Sequence, residues 1–242
     1  MTSRPAMKII IPEQFRHKIL PRGGLDHVSR DSDCLFAISL GSANSQLDDL
    51  VSTYKWIENT FSKCAILIGD SLFKLTLEIE QSLTPSVAAQ KAHKSCSEFL
   101  KEFQSQTNGR GQKIIRSSEL NGNSDYEVCK TSINSLYNQN ANFAISVNND
   151  ASSFVERKIR QNKISSPHEK FVKKSVDYLL EEISVYLFLA KSGWTLEVYY
   201  GEELPTLARI IRHEIPGVPA PLLSRINISV RRRIAKGSVS RC

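Results

Sequence analysis

Two unbroken apolar runs, Leu35-Phe36-Ala37-Ile38 and Cys64-Ala65-Ile66-Leu67-Ile68, flank a stretch with helical spacing. Apolar runs without polar alternation belong to strands covered on both faces. Between them Leu47, Leu50, Val51, Tyr54, Trp56, Ile57 and Phe61 recur at helical intervals, with Asn44 or Ser45 as the expected N-cap. Strand, helix, strand in that order makes a parallel pair with a right-handed crossover. A parallel pair needs helices on both of its faces, so this unit commits the chain to an α/β fold.

The rest of the chain extends that unit. Residues 8–11 are a short apolar run before Pro12, read as an edge strand or an N-terminal arm, and residues 13–32 read as loop. Helical patterns follow Asp70, with a break at Pro85, and run from Val87 to Phe103. A third strand is expected over Lys113–Arg116. Further helices span about 125–138, 143–160 and 169–190, the last preceded by Pro167. Trp194–Tyr200 alternates as a strand. Leu204–Ile211 is a short helix, a proline-rich connection follows, and Ile226–Val230 closes as a strand. The expected architecture is one domain over residues 1–242, a Rossmann-like parallel sheet flanked by helices. About residues 1–30 form an arm and loop, and about 231–242 a basic tail.

Chemistry concentrates at Ser39, where the first apolar run ends. Neither G-x-S-x-G nor S-x-x-K surrounds this serine, so no standard hydrolase box applies. In the long C-terminal helix, Tyr178 and Glu182 lie four apart and share a face. A hydroxyl, a phenol and a carboxylate at the carboxyl edge of an α/β sheet stand where such folds place their sites. The phosphate-binding glycine motifs of ATP, GTP and dinucleotide sites are absent, as are H-E-x-x-H and an EF-hand loop. The five histidines show no ligand spacing. No metal and no nucleotide cofactor is expected, and side chains would act on a substrate that arrives already activated.

Five scattered cysteines, none in a C-x-x-C, argue against a zinc site or a disulfide framework. No apolar run approaches a membrane span, and the first residues lack the apolar core of a secretory signal. The expected location is cytoplasmic. The net charge of +7 gathers at one end: Thr206 to Cys242 holds eight Arg/Lys against Glu214 alone. Such an end favours a polyanion, nucleic acid first.

On these segments the chain resembles the cyclodipeptide synthases. Asp33-Cys34-Leu35-Phe36-Ala37-Ile38-Ser39 resembles the family's first signature, H-x-[LVI]-[LVI]-G-[LVI]-S, with Asp33 at the histidine, Phe36 at an aliphatic position and Ala37 at the glycine. Tyr178 with Glu182 resembles its helical Tyr–Glu pair, although no proline follows. Tyr199-Tyr200-Gly201 resembles its third active-site tyrosine, and Ile66 to Leu72 its second-strand segment. The resemblance implies a fold like the catalytic domain of class I aminoacyl-tRNA synthetases. It also implies an aminoacyltransferase that takes two aminoacyl-tRNAs sequentially and releases a diketopiperazine, without ATP, metal or other cofactor.

The same resemblance implies residue roles. Ser39 would be the nucleophile, and Tyr178 and Glu182 would bind the amino group, with Glu181 a competitor for Glu182. Tyr199 would relay a proton; Tyr200 is its alternative, since strand alternation puts the two on opposite faces. Leu35, Ala37 and Ile68 would line the first side-chain pocket, narrowed by Ala37, and Ser42 would touch the second substrate. Tyr126 or Tyr137 would add a phenol. Lys91, Lys94 and Lys101, at helical spacing, would contact the tRNA, with Arg110, Lys113 and the C-terminal arginines as extensions. Two other functions compete: a non-catalytic RNA-binding α/β module, and a serine esterase-like hydrolase using Ser39.

Overall fold

The computed structural model describes residues 9–41, 46–107, 113–161 and 168–233. A six-stranded sheet runs β1 (Phe15–Leu20), β6 (Ile226–Arg232), β5 (Leu196–Tyr200), β2 (Asp33–Ile38), β3 (Lys63–Ile68), β4 (Lys113–Arg116). Every pairing is parallel except that of β1 with β6. The carboxyl ends of β2, β3, β4, β5 and β6 therefore share one edge, where ligands bind in open α/β sheets.

Two cores cover the sheet. On one face α1 (Leu47–Thr60) and α3 (Pro85–Thr107) pack against Phe36, Ile38, Ile66, Ile68 and Val198. On the other face α4 (Ser124–Gln139), α5 (Ala141–Arg160), α6 (His168–Lys191) and α7 (Pro205–Ile211) pack against Leu35, Ala37, Ala65 and Leu67. The strand side chains divide between these cores because successive residues of a strand point to opposite faces. Helix α2 (Asp70–Glu80) leaves the end of β3 and packs against α3 and α6.

Three expectations need correction, and one of two alternatives is decided. Residues 13–32 are not all loop: β1 lies within them. Its central Arg16, His17 and Lys18 are exposed, as suits an edge strand with half its surface in water, and this hid the apolar Phe15, Ile19 and Leu20. Residues 9–11 form an arm rather than a strand; Ile9 and Ile11 pack on the core, and Trp56 Nε1 donates to the Ile10 carbonyl at 3.0 Å. The N-cap of α1 is Gln46, which makes no side-chain capping bond; Asn44 and Ser45 lie outside the described residues. The proline-rich connection holds a one-turn helix, α8 (Ala220–Leu223), whose Leu222 is buried.

The basic end is also less free than its composition suggests. Arg225 is 2% exposed and paired with Glu197. Arg209 and Arg212 both approach Glu214, Arg231 lies 3.1 Å from Glu202, and Arg232 lies 3.0 Å from Asp49. Residues 234–242 lie outside the described residues. Among the described residues, no helix is long and apolar enough to cross a membrane, and no group of three or more His, Cys, Asp or Glu is placed to hold a metal ion. Cys34, Cys96 and Cys129 are buried free thiols, and burial raises each above the usual thiol range.

Candidate active site

Ser39 is the first residue past β2. The register sets Ala37 beside Leu67 on one side and Tyr199 on the other, so one row of three side chains points to the same face just below Ser39. Helix α6 crosses that face and presents Tyr178, Glu182 and Tyr186, spaced four apart along one stripe. Together with Leu72, Phe73 and Thr76 of α2 and Ser117 after β4, these residues enclose a cavity of about 30 Å³. That holds a water or two, so an amino-acid side chain needs the walls to move.

Two glycines shape this corner. Gly41 has a φ of +74°, and a Cβ there would meet the Phe73 ring at 2.4 Å. The turn after Ser39 thus needs glycine both for its backbone and for the close approach of α2. At Gly201 a Cβ would meet the Tyr199 ring at 2.6 Å. Its absence lets the Tyr199 ring fold back over the chain toward the cavity.

Ser39, Tyr178 and Tyr199 line the cavity together, with the serine hydroxyl near enough to both phenols to act on them. Burial, followed by the nearby Glu182 charge, pushes both phenols above the usual tyrosine range, so both stay protonated near neutral pH. The Glu182 carboxyl is pushed up to about 8, chiefly by burial and then by Glu197; Arg225 acts in the opposite sense. Its Oε2 is shielded from solvent and has no hydrogen-bond partner among the described residues. A carboxyl in that range exchanges protons readily with an α-amino group, whose ordinary value is about 7.7–8.0.

Beneath this floor lies a buried polar cluster. Glu197 accepts a 2.6 Å hydrogen bond from the Tyr186 hydroxyl, and Arg225 Nη2 donates to it in a buried ion pair. The Arg225 guanidinium lies 3.8 Å from the centroid of the Tyr186 ring. On the α2 side, Asp70 accepts from Ser117, from the Ser118 amide and hydroxyl, and from Arg116 at 2.8 and 3.0 Å. Burial alone would raise Asp70, but the Ser118 hydrogen bonds and the Arg116 bonds and charge hold it below the usual carboxylate range. This bonding ties the end of β4 to the start of α2 and so fixes the wall that carries Ser117 and Phe73.

The structure brings Ser39, Ala37, Tyr178, Glu182 and Tyr199 around one cavity. Glu181 does not line the cavity; its charge lies near Tyr126, whose phenol is raised by burial and then by Glu181, and near Tyr178. Tyr126 itself is fully buried among α4 and α6 and does not line the cavity. Tyr137 donates to Asn148 and lines a wider cleft between α4, α5 and α6. Leu35 lies one row deeper in the same core. Ile68 and Tyr200 face the opposite core: Ile68 packs under α1 and α3, and the Tyr200 hydroxyl donates to Asp49 at 2.7 Å. Strand alternation accounts for both displacements, and Leu67 takes the place expected for Ile68. Lys91, Lys94 and Lys101 are exposed on α3; Lys91 donates to Gln81 and Lys94 lies 3.8 Å from Glu98. Lys113 stacks over the Trp194 ring. Ser42 and Arg110 lie outside the described residues.

Several lining residues went unread in the sequence. Tyr186 continues the Tyr178–Glu182 stripe by one more step of four, a signal open to inspection. Leu72, Phe73, Thr76 and Ser117 come from elements that read only as generic helix and strand. Glu197 and Arg225 gave no sign of pairing, because nothing in a chain links positions 28 residues apart until the strands are registered.

The family model for cyclodipeptide synthase matches residues 26–198. A search of curated proteins found no match. Among solved structures, the cyclodipeptide synthase of Staphylococcus haemolyticus is 18% identical with a TM-score of 0.72, covering 90% of this chain and 100% of its own. A Mycobacterium tuberculosis protein, described as demonstrating that cyclodipeptide synthetases are related to type I tRNA synthetases, is 14% identical. Its TM-score is 0.72, over 96% of this chain and 99% of its own. The cyclodipeptide synthase of Candidatus Glomeribacter gigasporarum, solved bound to Phe-tRNAPhe, is 15% identical with a TM-score of 0.57, over 90% and 94%. At these identities the structures speak to the fold.

Proposed function

The chain belongs to the cyclodipeptide synthase family, and from that premise we propose that it joins the amino acids of two aminoacyl-tRNAs through an aminoacyl ester on Ser39. The observation that supports this reading is the meeting of the Ser39 hydroxyl with Tyr178 and Tyr199, beside Glu182, at the carboxyl edge of the sheet.

Ser39 Oγ attacks the ester carbonyl of the first substrate. The carbonyl–ribose bond breaks, the serine proton passes to the leaving ribose oxygen, and free tRNA departs. The amino group of the acyl-serine sits at Tyr178 and Glu182. Glu182 accepts a proton from the ammonium, and the freed amine attacks the ester of the second aminoacyl-tRNA. A peptide bond forms and the second ester breaks, Tyr199 handing a proton to the departing ribose oxygen as it takes the one the acylated amine gives up. The terminal amine then attacks the Ser39 ester, closing the ring and releasing Ser39.

The tRNA is held through its phosphates. The first candidate surface is the exposed face of α3 with Lys91, Lys94 and Lys101; α3 packs on α2, whose Phe73 and Thr76 line the cavity. The rival is the β1–β6 pair, whose Arg16 and Arg231 lie opposite each other at the same edge as Ser39. Arg231 is also held by Glu202 at 3.1 Å, so this edge offers less free charge than the pairing alone suggests.

The test uses the intact chain expressed in a bacterium, with diketopiperazines sought by mass spectrometry, and purified protein exposed to radiolabelled aminoacyl-tRNA. Wild type is expected to yield product and to retain label after denaturation. Ser39→Ala is expected to lose both while keeping its circular dichroism. Undiminished labelling of Ser39→Ala would overturn the acyl-serine.

A further inference from the structure

Arg225 and the first residues of β6 alternate: Arg225, Ile226, Asn227, Ile228, Ser229, Val230. Such a polar–apolar alternation ordinarily marks a strand with one wet face. Here both faces are buried: Arg225 is 2%, Asn227 0% and Ser229 6% exposed. The polar face of β6 therefore points inward, under α6 and directly beneath the cavity. Asn227 and Ser229 sit in register with Glu197 and Tyr199 of β5. Burying an ion pair so deep is no aid to stability by itself, since desolvation offsets the attraction. Its location under the active-site floor calls for another reason.

The contacts supply one. Glu197 receives the Tyr186 hydroxyl, an Arg225 nitrogen and Asn227 Nδ2, and Asn227 Oδ1 receives the Ser229 hydroxyl. Tyr186 is both a cavity wall and the next residue along the stripe from Glu182. In this region Arg225 Nη1, a donor, and Glu182 Oε2, an acceptor, have no hydrogen-bond partner among the described residues. We propose that Arg225 and Glu197 are positioning residues, a buried counter-charge pair that acts from beneath the cavity, with Tyr186 between, to balance the charge on Glu182. This inference rests on Glu182 acting upon the amino group.

The groups facing Glu182 come from every side. On α6 these are Tyr178 and Tyr186; from β5, Glu197 and Tyr199; from the entry to β6, Arg225; from α5, Asp150. From the turn after β5 comes Glu203, held well above the usual carboxylate range by burial and then by Glu197. From α2 the charged groups are Lys74 and Glu78, which pair with each other, and Glu78 also pairs with Lys174 of α6. Among these, Arg225 alone favours the ionised form of Glu182, against Glu197 and Asp150. Loss of the Glu197 charge should therefore ease ionisation of Glu182, and loss of the Arg225 charge should hinder it.

The experiment is the rate of cyclic dipeptide formation from pH 6 to 9, corrected for spontaneous ester hydrolysis and quantified by mass spectrometry with a mixture of aminoacyl-tRNAs. Wild type should rise with pH through a midpoint near 8, where Glu182 ionises. Glu197→Gln should move that midpoint down by about one unit, and Arg225→Met should move it up by a similar amount, the scale of a nearby unit charge. The double variant Glu197→Gln/Arg225→Gln should shift downward by less than Glu197→Gln alone, since Glu197 is the larger influence. Circular dichroism confirms the fold of each variant, and the double variant carries the test if either single one does not fold. Folded variants that lose activity in proportion at every pH, with the midpoint unmoved, would overturn the inference and leave the pair a structural support. If Glu182→Gln keeps the wild-type limb, that limb belongs to the substrate amine, and the reading of Glu182 has failed instead.

Discussion

On one face of β2, β3 and β5 the central row is Phe36, Ile66 and Val198; one residue further along, on the other face, it is Ala37, Leu67 and Tyr199. The first row is hydrocarbon and fully buried. Around it Phe36, Tyr54, Phe99 and Phe103 meet ring to ring, and its polar residues are paired, as Tyr200 and Arg232 are with Asp49. The second row carries the cavity, and around it lie a carboxylate oxygen, a guanidinium nitrogen and the Tyr126 hydroxyl with no hydrogen-bond partner among the described residues, where Glu78 and Ser175 hold two further such atoms. Buried polar groups are nearly always bonded, so unpaired ones gather where the structure serves something other than stability. A single sheet thus keeps an aromatic core on one side and the cavity, with its tyrosines and carboxylate, on the other. The period of two along each strand is what separates them.

The comparison breaks most visibly at α6, where Glu181 and Glu182 are neighbours and only one faces the cavity. Glu182→Gln is expected to lower the rate of cyclic dipeptide formation by about 10²-fold or more, the scale of a lost acid–base group. Glu181→Gln should be nearly silent in the same assay. A reversed ranking would place the reacting amino group on the α4 side of the helix.

Tyr199 and Tyr200 sharpen it next, since the same substitution on adjacent residues should have crossed effects. Tyr199→Phe is expected to reduce the rate about tenfold or more while leaving the urea midpoint alone. Tyr200→Phe should leave the rate near wild type and lower stability by about 1–3 kcal/mol, because Asp49 loses a buried donor. Matched rate losses would show that both faces serve the reaction.

The smallest effect is on the surface. In a salt titration of tRNA binding, Lys91→Ala and Lys94→Ala should each reduce the slope by about one unit, the release of one counterion per phosphate contact. A truncation after Val230 tests the rival edge. Full affinity and slope in the lysine double variant, with both lost on truncation, would move the grip from α3 to the β1–β6 pair.

Much of this was legible in the chain. The runs 35–38 and 64–68 read as covered strands, because a stretch with no polar residue has no face to give to water. The four-residue step from Tyr178 to Glu182 puts both on one helix face, and the end of the first apolar run places the Ser39 hydroxyl at the strand end. β1 was not legible, since three consecutive exposed residues at its centre leave no period-two alternation and read as loop. The sequence points to Ile68 where the cavity takes Leu67, because a continuous apolar run carries no mark of which residues point up.

What the sequence determined by itself is local and periodic: strand, helix, strand order, the stripe on α6, and the alternation that keeps Tyr199 and Tyr200 apart. Tertiary structure alone decided which face holds the cavity, because that depends on where α6 lies across the sheet. It also turned Arg225 from a tail cation into the buried partner of Glu197. Charge and polarity can be read from a sequence, but the desolvation that gives them their effect exists only once distant segments have closed over them.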